Sequence, residues 1–282
     1  LVQRYQISYL NSGRDLLRFG LVTPSSQPAV VLANPNYETA IAASRSVGEG
    51  QRASGLDQLQ VGPLPGTAVE AEAIRPLLPN AMFLTEDQAT ENALKQIEAP
   101  RILHIATHGF FLQDVERPAP DSRGIGVVGT GSPLSAPTGV AVENPLLRSG
   151  LALAGVNSRS SGSEDGVLTA LEASNLNLFG TQLVVLSACE TGLGDIAYGE
   201  GVYGLRRAFA LAGAESQLMS LWQVSDFGTQ SLMAQYYEKL TAGMGRSEAL
   251  REVQLEMIES GGQYSSPYYW AAFILTGNWR PL

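Results

Sequence analysis

Short apolar runs along this chain alternate with longer segments in which apolar residues recur every three or four positions. Short runs rich in β-branched residues, such as Leu183 to Leu186, are typical of strands buried on both faces of a parallel sheet. The longer segments, such as 247–259, have the period of amphipathic helices. The alternation predicts an α/β fold with a doubly wound, mostly parallel sheet flanked by helices.

The same pattern gives approximate bounds for the elements. The predicted strands are 29–33, 81–84, 101–107, 150–155, 183–186, 216–222 and 268–276. The predicted helices are 67–78, 91–98, 169–176, 201–212, 226–241 and 247–259, with Thr67 and Thr90 as caps of the first two. Residues 36–66 and 112–143 lack periodicity and predict long loops, and the second loop is either a lid over a site or a disordered segment.

The first 22 residues predict a β-hairpin. Apolar and polar residues alternate over 5–9, a turn sequence follows at 11–13, and apolar residues then return the chain. We therefore divide the chain into a peripheral hairpin extension, residues 1–27, and a main domain, residues 28–282.

Composition narrows the class of protein. Of the 282 residues, 44% are hydrophobic and 16% are charged, as in ordinary globular proteins. The net charge of −9 argues against a nucleic-acid surface and is compatible with a basic substrate. The chain contains no run of 18 apolar residues, so the sequence predicts no membrane span. The chain begins with Leu and has no leader pattern, so we expect a fragment or processed product without a targeting signal.

The few cysteine and histidine residues carry further information. A single cysteine excludes an internal disulfide and fits a reducing, cytoplasmic environment. With two histidines and one cysteine, the usual ligands of a zinc site are lacking, so we predict no metal site and no cofactor. No compact acidic cluster stands out in the sequence, which leaves a calcium requirement open.

The single cysteine, Cys189, lies just after the apolar run 183–186, from which the small residues Ser187 and Ala188 separate it. The run 101–107 has the same construction and leads to His108 and Gly109. If the two strands are parallel neighbours, both side chains emerge at the carboxyl edge of the sheet, where open α/β folds bind ligands. A Cys–His pair is a nucleophile with its base, whereas a lone cysteine is more often a small core residue.

The residues around this pair resemble a known family. Thr107 to Gly109 and Leu186 to Gly194, with the stretches 144–155, 165–170, 200–209 and 220–226, are similar to the motifs of the CHAT domain, from about residue 28 onward. CHAT domains are caspase-like cysteine peptidases related to separase and usually follow tetratricopeptide repeats. The resemblance implies a caspase-like fold and a Cys189–His108 dyad without a third carboxylate. It also implies regulation by N-terminal repeats or a partner protein. The A-C-E-T-G sequence around the thiol differs from the caspase signature.

The proposed chemistry suggests further site residues. The backbone N–H groups of Gly109 and Cys189 are the expected donors to the tetrahedral oxyanion. Asp226 ends a stretch that is similar to the separase segment whose aspartate binds a P1 arginine, which implies cleavage of a protein substrate after Arg, with Lys weaker. Asp195 and Glu200 are second candidates for this basic pocket, and a solvated loop is the alternative for both.

Alternatives to several of these interpretations remain at this point. Asp226 is locally just as good a helix N-cap as a substrate ligand. His104, four residues before His108, is interpreted as a core histidine because it lies deeper in the strand. The whole domain is either a peptidase or a catalytically silent interaction module. A nucleotide-binding domain is disfavoured because the first strand ends in Asn34-Pro35 without a glycine-rich loop.

Overall fold

The computed structural model describes residues 1–20, 23–40, 56, 59–112, 144–188, 200–222 and 225–282. The strands are β1 (Val30–Pro35), β2 (Met82–Glu86), β3 (Ile102–Ala106), β4 (His108–Phe111), β5 (Ser149–Ala152), β6 (Val167–Thr169), β7 (Leu183–Ser187), β8 (Ser216–Ser220) and β9 (Phe273–Gly277). The helices are α1 (Asp15–Arg18), α2 (Pro65–Ile74), α3 (Glu91–Lys95), α4 (Ala170–Ala173), α5 (Glu200–Ala212), α6 (Asp226–Thr241), α7 (Arg246–Glu259) and α8 (Pro267–Trp270).

A six-stranded sheet in the order β2-β1-β3-β7-β8-β9 forms the centre of the protein. Strands β1, β2, β3, β7 and β8 pair in parallel, and β9 runs antiparallel to β8. Helices cover both faces of this sheet: α2, α6 and α7 pack on one face and α3, α4 and α5 on the other. The predicted α/β fold with a mostly parallel, doubly wound sheet is confirmed.

The central strands show why unbroken apolar runs predict such a sheet. In β7, Leu183 and Val185 face the core under α2, α6 and α7, whereas Val184 and Leu186 face the core under α3 to α5. All four side chains are at most 2% exposed. Because both faces are buried, every position along the strand is apolar.

The chain leaves the main sheet at Thr107. Ala106 is the last residue of β3, and His108 begins β4, which pairs antiparallel with β5 in a second, three-stranded sheet β4-β5-β6. The predicted strand 101–107 is therefore correct as far as Ala106. The even spacing of the two histidines does not place them on one strand face, since they belong to different sheets.

Two of the predicted helix starts have different outcomes. Thr90 is the N-cap of α3, and its side chain accepts a hydrogen bond from the Ala93 N–H, as expected. The predicted Thr67 cap is wrong, because α2 already begins at Pro65, and proline is favoured in the first turn of a helix. The Thr67 hydroxyl instead accepts from the Asn34 N–H at 3.1 Å, which ties α2 to the end of β1.

The predicted N-terminal hairpin is wrong for the residues that are described. Residues 1–20 contain the short helix α1 and a single bridge, in which Tyr9 pairs in parallel with Thr276 of the edge strand β9. Tyr5, Ile7 and Tyr9 are 59%, 41% and 47% exposed. Their alternation with polar residues thus does not mark a face that packs on a returning strand. Among the described residues, no helix has the length and apolarity needed to cross a membrane.

Candidate functional site

The candidate site lies where the central strands end. Strands β3 and β7 are adjacent and parallel, and their last paired residues are Ala106 and Ser187. His108 and Cys189 each stand two positions beyond this pair in the sequence. The expectation that the two runs form neighbouring parallel strands is therefore confirmed. Cys189 itself lies outside the described residues.

In the part of the chain that the structure describes, the His108 side chain makes a hydrogen bond and a ring contact. Its Nε2–H donates to the Gly62 carbonyl oxygen at 2.7 Å, and its ring lies 5.3 Å from the ring of Tyr37. A carbonyl oxygen only accepts hydrogen bonds, so the proton of the neutral imidazole resides on Nε2. Nδ1 is then the basic nitrogen.

The surroundings of His108 keep its imidazole neutral. The side chain is 9% exposed, and burial lowers the pKa of His108 below its usual value. The Gly62 carbonyl and the negative charge of Asp226 raise this pKa but offset only part of the burial effect. At neutral pH the imidazole is therefore a proton acceptor.

Asp226 lies close enough to influence this histidine. It is the first residue of α6 and is exposed to solvent, and the N-cap residue is Ser225, which makes no side-chain cap hydrogen bond. The alternative interpretation of Asp226 as the N-cap is therefore wrong. A Cβ atom at Gly66 of α2 would overlap the Asp226 carboxylate, so the glycine provides the space for this side chain.

Tyr37 contacts both His108 and its neighbour Thr107. The Thr107 hydroxyl donates to the Ala152 carbonyl oxygen, so the Tyr37 hydroxyl must be the donor in its 3.0 Å contact with Thr107. Burial raises the pKa of Tyr37 to about 12, which keeps this hydroxyl protonated. Neither Tyr37 nor Gly62 was predicted from the sequence, because both lie in a segment without periodicity.

The other predicted site residues have varied positions. Gly109 lies in β4 opposite Leu151 of β5. Asp195 lies outside the described residues, and Glu200 begins α5, but its side chain is not described. His104 is 0% exposed and lies in β3, as expected of a core histidine.

The structure also contains an acidic cluster that the sequence pattern did not predict. Carboxylate oxygens of Glu91, Glu164 and Glu172 lie within 4.8 Å of one another, a spacing that suits a metal ion. The ammonium group of Lys95 contacts all three, at 2.7, 3.0 and 3.0 Å. These carboxylates therefore already have a cationic partner from the chain itself.

The fold and this edge define the class of protein. It is an α/β domain in which a neutral histidine, bound to a backbone carbonyl, follows one central parallel strand, and the neighbouring strand leads to the chain's single cysteine. The family follows from comparison with known sequences. The chain belongs to the CHAT domain family, whose model matches residues 1–278. This match also includes the first 27 residues, and the division of the chain at residue 27 stays a prediction.

The chain is also similar to two curated proteins. The chain is 26% identical over 260 residues to tetratricopeptide repeat protein 28 of Mus musculus and 26% identical over 257 residues to the Homo sapiens protein. Each match covers 90% of this chain but only 10% of the relative, so the chain spans about a tenth of the length of these proteins.

Among solved structures, the chain is similar to the Arg-specific cysteine proteinase gingipain R, with 9% identity and a TM-score of 0.49. That match covers 95% of this chain and 51% of the other. A complex of the pro- and mature domains of Porphyromonas gingivalis RgpB matches with 10% identity and a TM-score of 0.44, over 89% of this chain and 47% of the other.

Proposed function

We propose that this domain is a cysteine endopeptidase in which Cys189 is the nucleophile and His108 its base. The observation that carries the proposal is the adjacency of β3 and β7, which leads the sequence toward both residues at one edge of the sheet. Membership of the CHAT domain family supports the same class of activity. The tautomer of His108 supports it further, because the nitrogen that is not bound to Gly62 is free of a proton.

The reaction follows from ordinary acyl-transfer chemistry. Nδ1 of His108 accepts the thiol proton, and the thiolate attacks the scissile carbonyl carbon. Backbone N–H groups of Gly109 and Cys189 bind the tetrahedral oxyanion. The imidazolium then donates its proton to the leaving amine, and a water molecule hydrolyses the thioester to release the acid and restore the thiol.

We further propose that the substrate is a protein cleaved after Arg, and more slowly after Lys. Asp226 supports this specificity, because it is exposed at the active edge and its charge already acts on His108. A carboxylate binds a guanidinium group through two charge-assisted hydrogen bonds, a geometry that an ammonium group does not reproduce. Asp195 and Glu200 remain second candidates for the same pocket.

The test is turnover of an arginyl peptide by the purified domain. Cys189→Ala and His108→Ala should each abolish cleavage while the far-UV circular dichroism spectrum and the melting temperature stay close to those of the parent. Full activity in either variant would refute the dyad. Asp226→Ala should reduce turnover of peptides with a basic P1 residue selectively, whereas an equal loss on every P1 residue would contradict its role in the pocket.

One observation favours a second function. The curated relatives carry this domain as about a tenth of a tetratricopeptide repeat protein, so the domain can also serve as a catalytically silent partner of such repeats. An arginyl chloromethylketone distinguishes the two functions, because it alkylates an activated Cys189 and leaves an unactivated thiol unmodified. In either case we expect repeats or a partner protein to regulate the domain.

A further inference from the structure

A chain of buried polar side chains lies under the candidate site. Glu70 of α2 is 2% exposed, and its Oε2 accepts a hydrogen bond from the Ser187 hydroxyl at 2.8 Å. Its Oε1 lies 3.1 Å from Nε2 of His104, without meeting hydrogen-bond geometry. The other ring nitrogen of His104, Nδ1, contacts the Tyr237 hydroxyl at 3.0 Å. The four residues belong to α2, β3, α6 and β7.

The Tyr237 hydroxyl stays protonated beside Nδ1 of His104, because burial raises the pKa of Tyr237 well above its usual value. The Glu70 carboxylate lies 3.1 Å from the His104 ring of β3 and accepts the Ser187 O–H of β7, so it contacts both strands from the helix side.

Ser187 connects this network to the segment that carries the proposed nucleophile. Ser187 is the last residue of β7 and stands two positions before Cys189. The next residue, Ala188, is also held, since its carbonyl oxygen accepts from the Ser220 hydroxyl of β8 at 3.2 Å. Both residues that directly precede the cysteine are therefore fixed by side chains of neighbouring elements.

The same helix also reaches the other parts of the site. Gly66 lies one turn before Glu70 and on the same face of α2, where it borders the Asp226 carboxylate. Gly62, which accepts the hydrogen bond from His108, precedes the helix by a few residues. Docking of α2 through Glu70 therefore sets the position of β7 relative to the groups around His108.

We propose that Glu70 is a positioning residue that, through Ser187 and His104, aligns the end of β7 with His108 and Asp226. This proposal rests on the proposed peptidase function, and it predicts more than a general contribution to stability. When Glu70 is disconnected from β7, the thiol loses its alignment with the imidazole even though the protein remains folded.

The test compares Ser187→Ala with the matched control Ser216→Ala. Both substitutions remove a buried serine hydroxyl from the central sheet, but Ser216 begins β8 and binds the Gln182 carbonyl oxygen at the opposite edge. The readout is the rate of alkylation of Cys189, the single cysteine, by iodoacetamide as a function of pH. It is measured by mass spectrometry beside the melting temperature of each variant.

We expect the midpoint of this profile in Ser187→Ala to rise toward the value of a free thiol, about 8.5, and the Ser216→Ala midpoint to equal that of the wild type. kcat for an arginyl peptide should fall at least ~10-fold in Ser187→Ala with KM unchanged, since the substrate pocket is intact. Glu70→Gln as a single substitution keeps an oxygen to accept from Ser187, so it should show much smaller changes in both the midpoint and kcat than Ser187→Ala.

Equal midpoints in the wild type and Ser187→Ala would overturn the proposal, as would a wild-type midpoint already at the free-thiol value. The alkylation profile does not require peptide cleavage. A low wild-type midpoint that rises in Ser187→Ala therefore sustains the role of Glu70 even if no peptide is hydrolysed. Absence of hydrolysis would then refute only the peptidase function.

Discussion

The acidic cluster around Lys95 allows a quantitative test of how a buried carboxyl group makes the stability of this protein depend on pH. Glu91 is fully buried, whereas Glu164 and Glu172 keep 32% and 36% of their side-chain surface. Burial raises the pKa of Glu91 to about 8, although the Lys95 ammonium lowers it. Substitution of Lys95→Met removes this ammonium and so raises the pKa of Glu91 further.

The expected loss of stability depends on pH. A carboxyl group whose pKa is raised on folding contributes stability that is lost as pH rises from about 4.3, the unfolded value, to the folded value. Below about pH 8, Glu91 is protonated in both proteins, and the variant loses only the two half-exposed ion pairs, roughly 1 kcal/mol. Above this pH, each unit adds up to about 1.4 kcal/mol, which gives about 3 kcal/mol at a pH near 9.5.

The assay is thermal unfolding followed by circular dichroism at both pH values. A loss of about 3 kcal/mol in a domain of this size lowers the melting temperature by roughly 6–12 °C, against about 2–4 °C for 1 kcal/mol. Lys239→Met is the matched control, since Lys239 pairs with Glu256 at 2.6 Å and that glutamate is 50% exposed. The control should lose less than about 1 kcal/mol at either pH. A Lys95→Met loss that is the same at both pH values would refute the reasoning.

Three further predictions concern the site. In an NMR titration, His108 should titrate below about 6.5, and Asp226→Asn should lower its pKa further because a favourable charge is lost; an upward shift would contradict this. Gly66→Ala should reduce kcat/KM for arginyl peptides because its Cβ displaces the Asp226 carboxylate, while Gly13→Ala, with open space around it, should have no effect. Tyr37→Phe should lower the free energy of unfolding by about 1 kcal/mol, because the hydroxyl is lost. It should retain more peptidase activity than Tyr37→Ala, which also loses the ring that contacts His108. Equal activities of the two variants would argue against a role for the ring contact.

The hydrophobic pattern of the sequence correctly predicted those strands that pack against apolar side chains on both faces. Strands β3 and β7 have apolar side chains on both faces, so their burial is visible in the sequence alone. The ends of α6 and α7 were also predicted within a residue, and Gly213, with φ near +112°, ends α5 as expected of a C-terminal glycine. In all these cases a few adjacent residues contain the whole signal.

Pattern failed where the partner is distant in sequence. The apolar run of β3 is followed by Thr107, His108 and then the apolar residues of β4, and this order of residue types does not indicate which sheet β4 joins. The alternation in residues 5–9 is equally compatible with a hairpin and with a segment that pairs at Tyr9 along β9. Hydrophobic periodicity reports that a face is buried, but it does not identify the element that buries it.

The amino-acid sequence by itself determined the α/β class, the family motifs and the single Cys–His combination, because each depends on residue types and their order. Only the tertiary structure decided that β3 and β7 are neighbours, that the Gly62 carbonyl holds Nε2 of His108, and that Glu70 bridges His104 and Ser187. These contacts join residues far apart in the chain, and they form only when the helices dock on the sheet. Their geometry is therefore a property of the packed molecule rather than of any local segment.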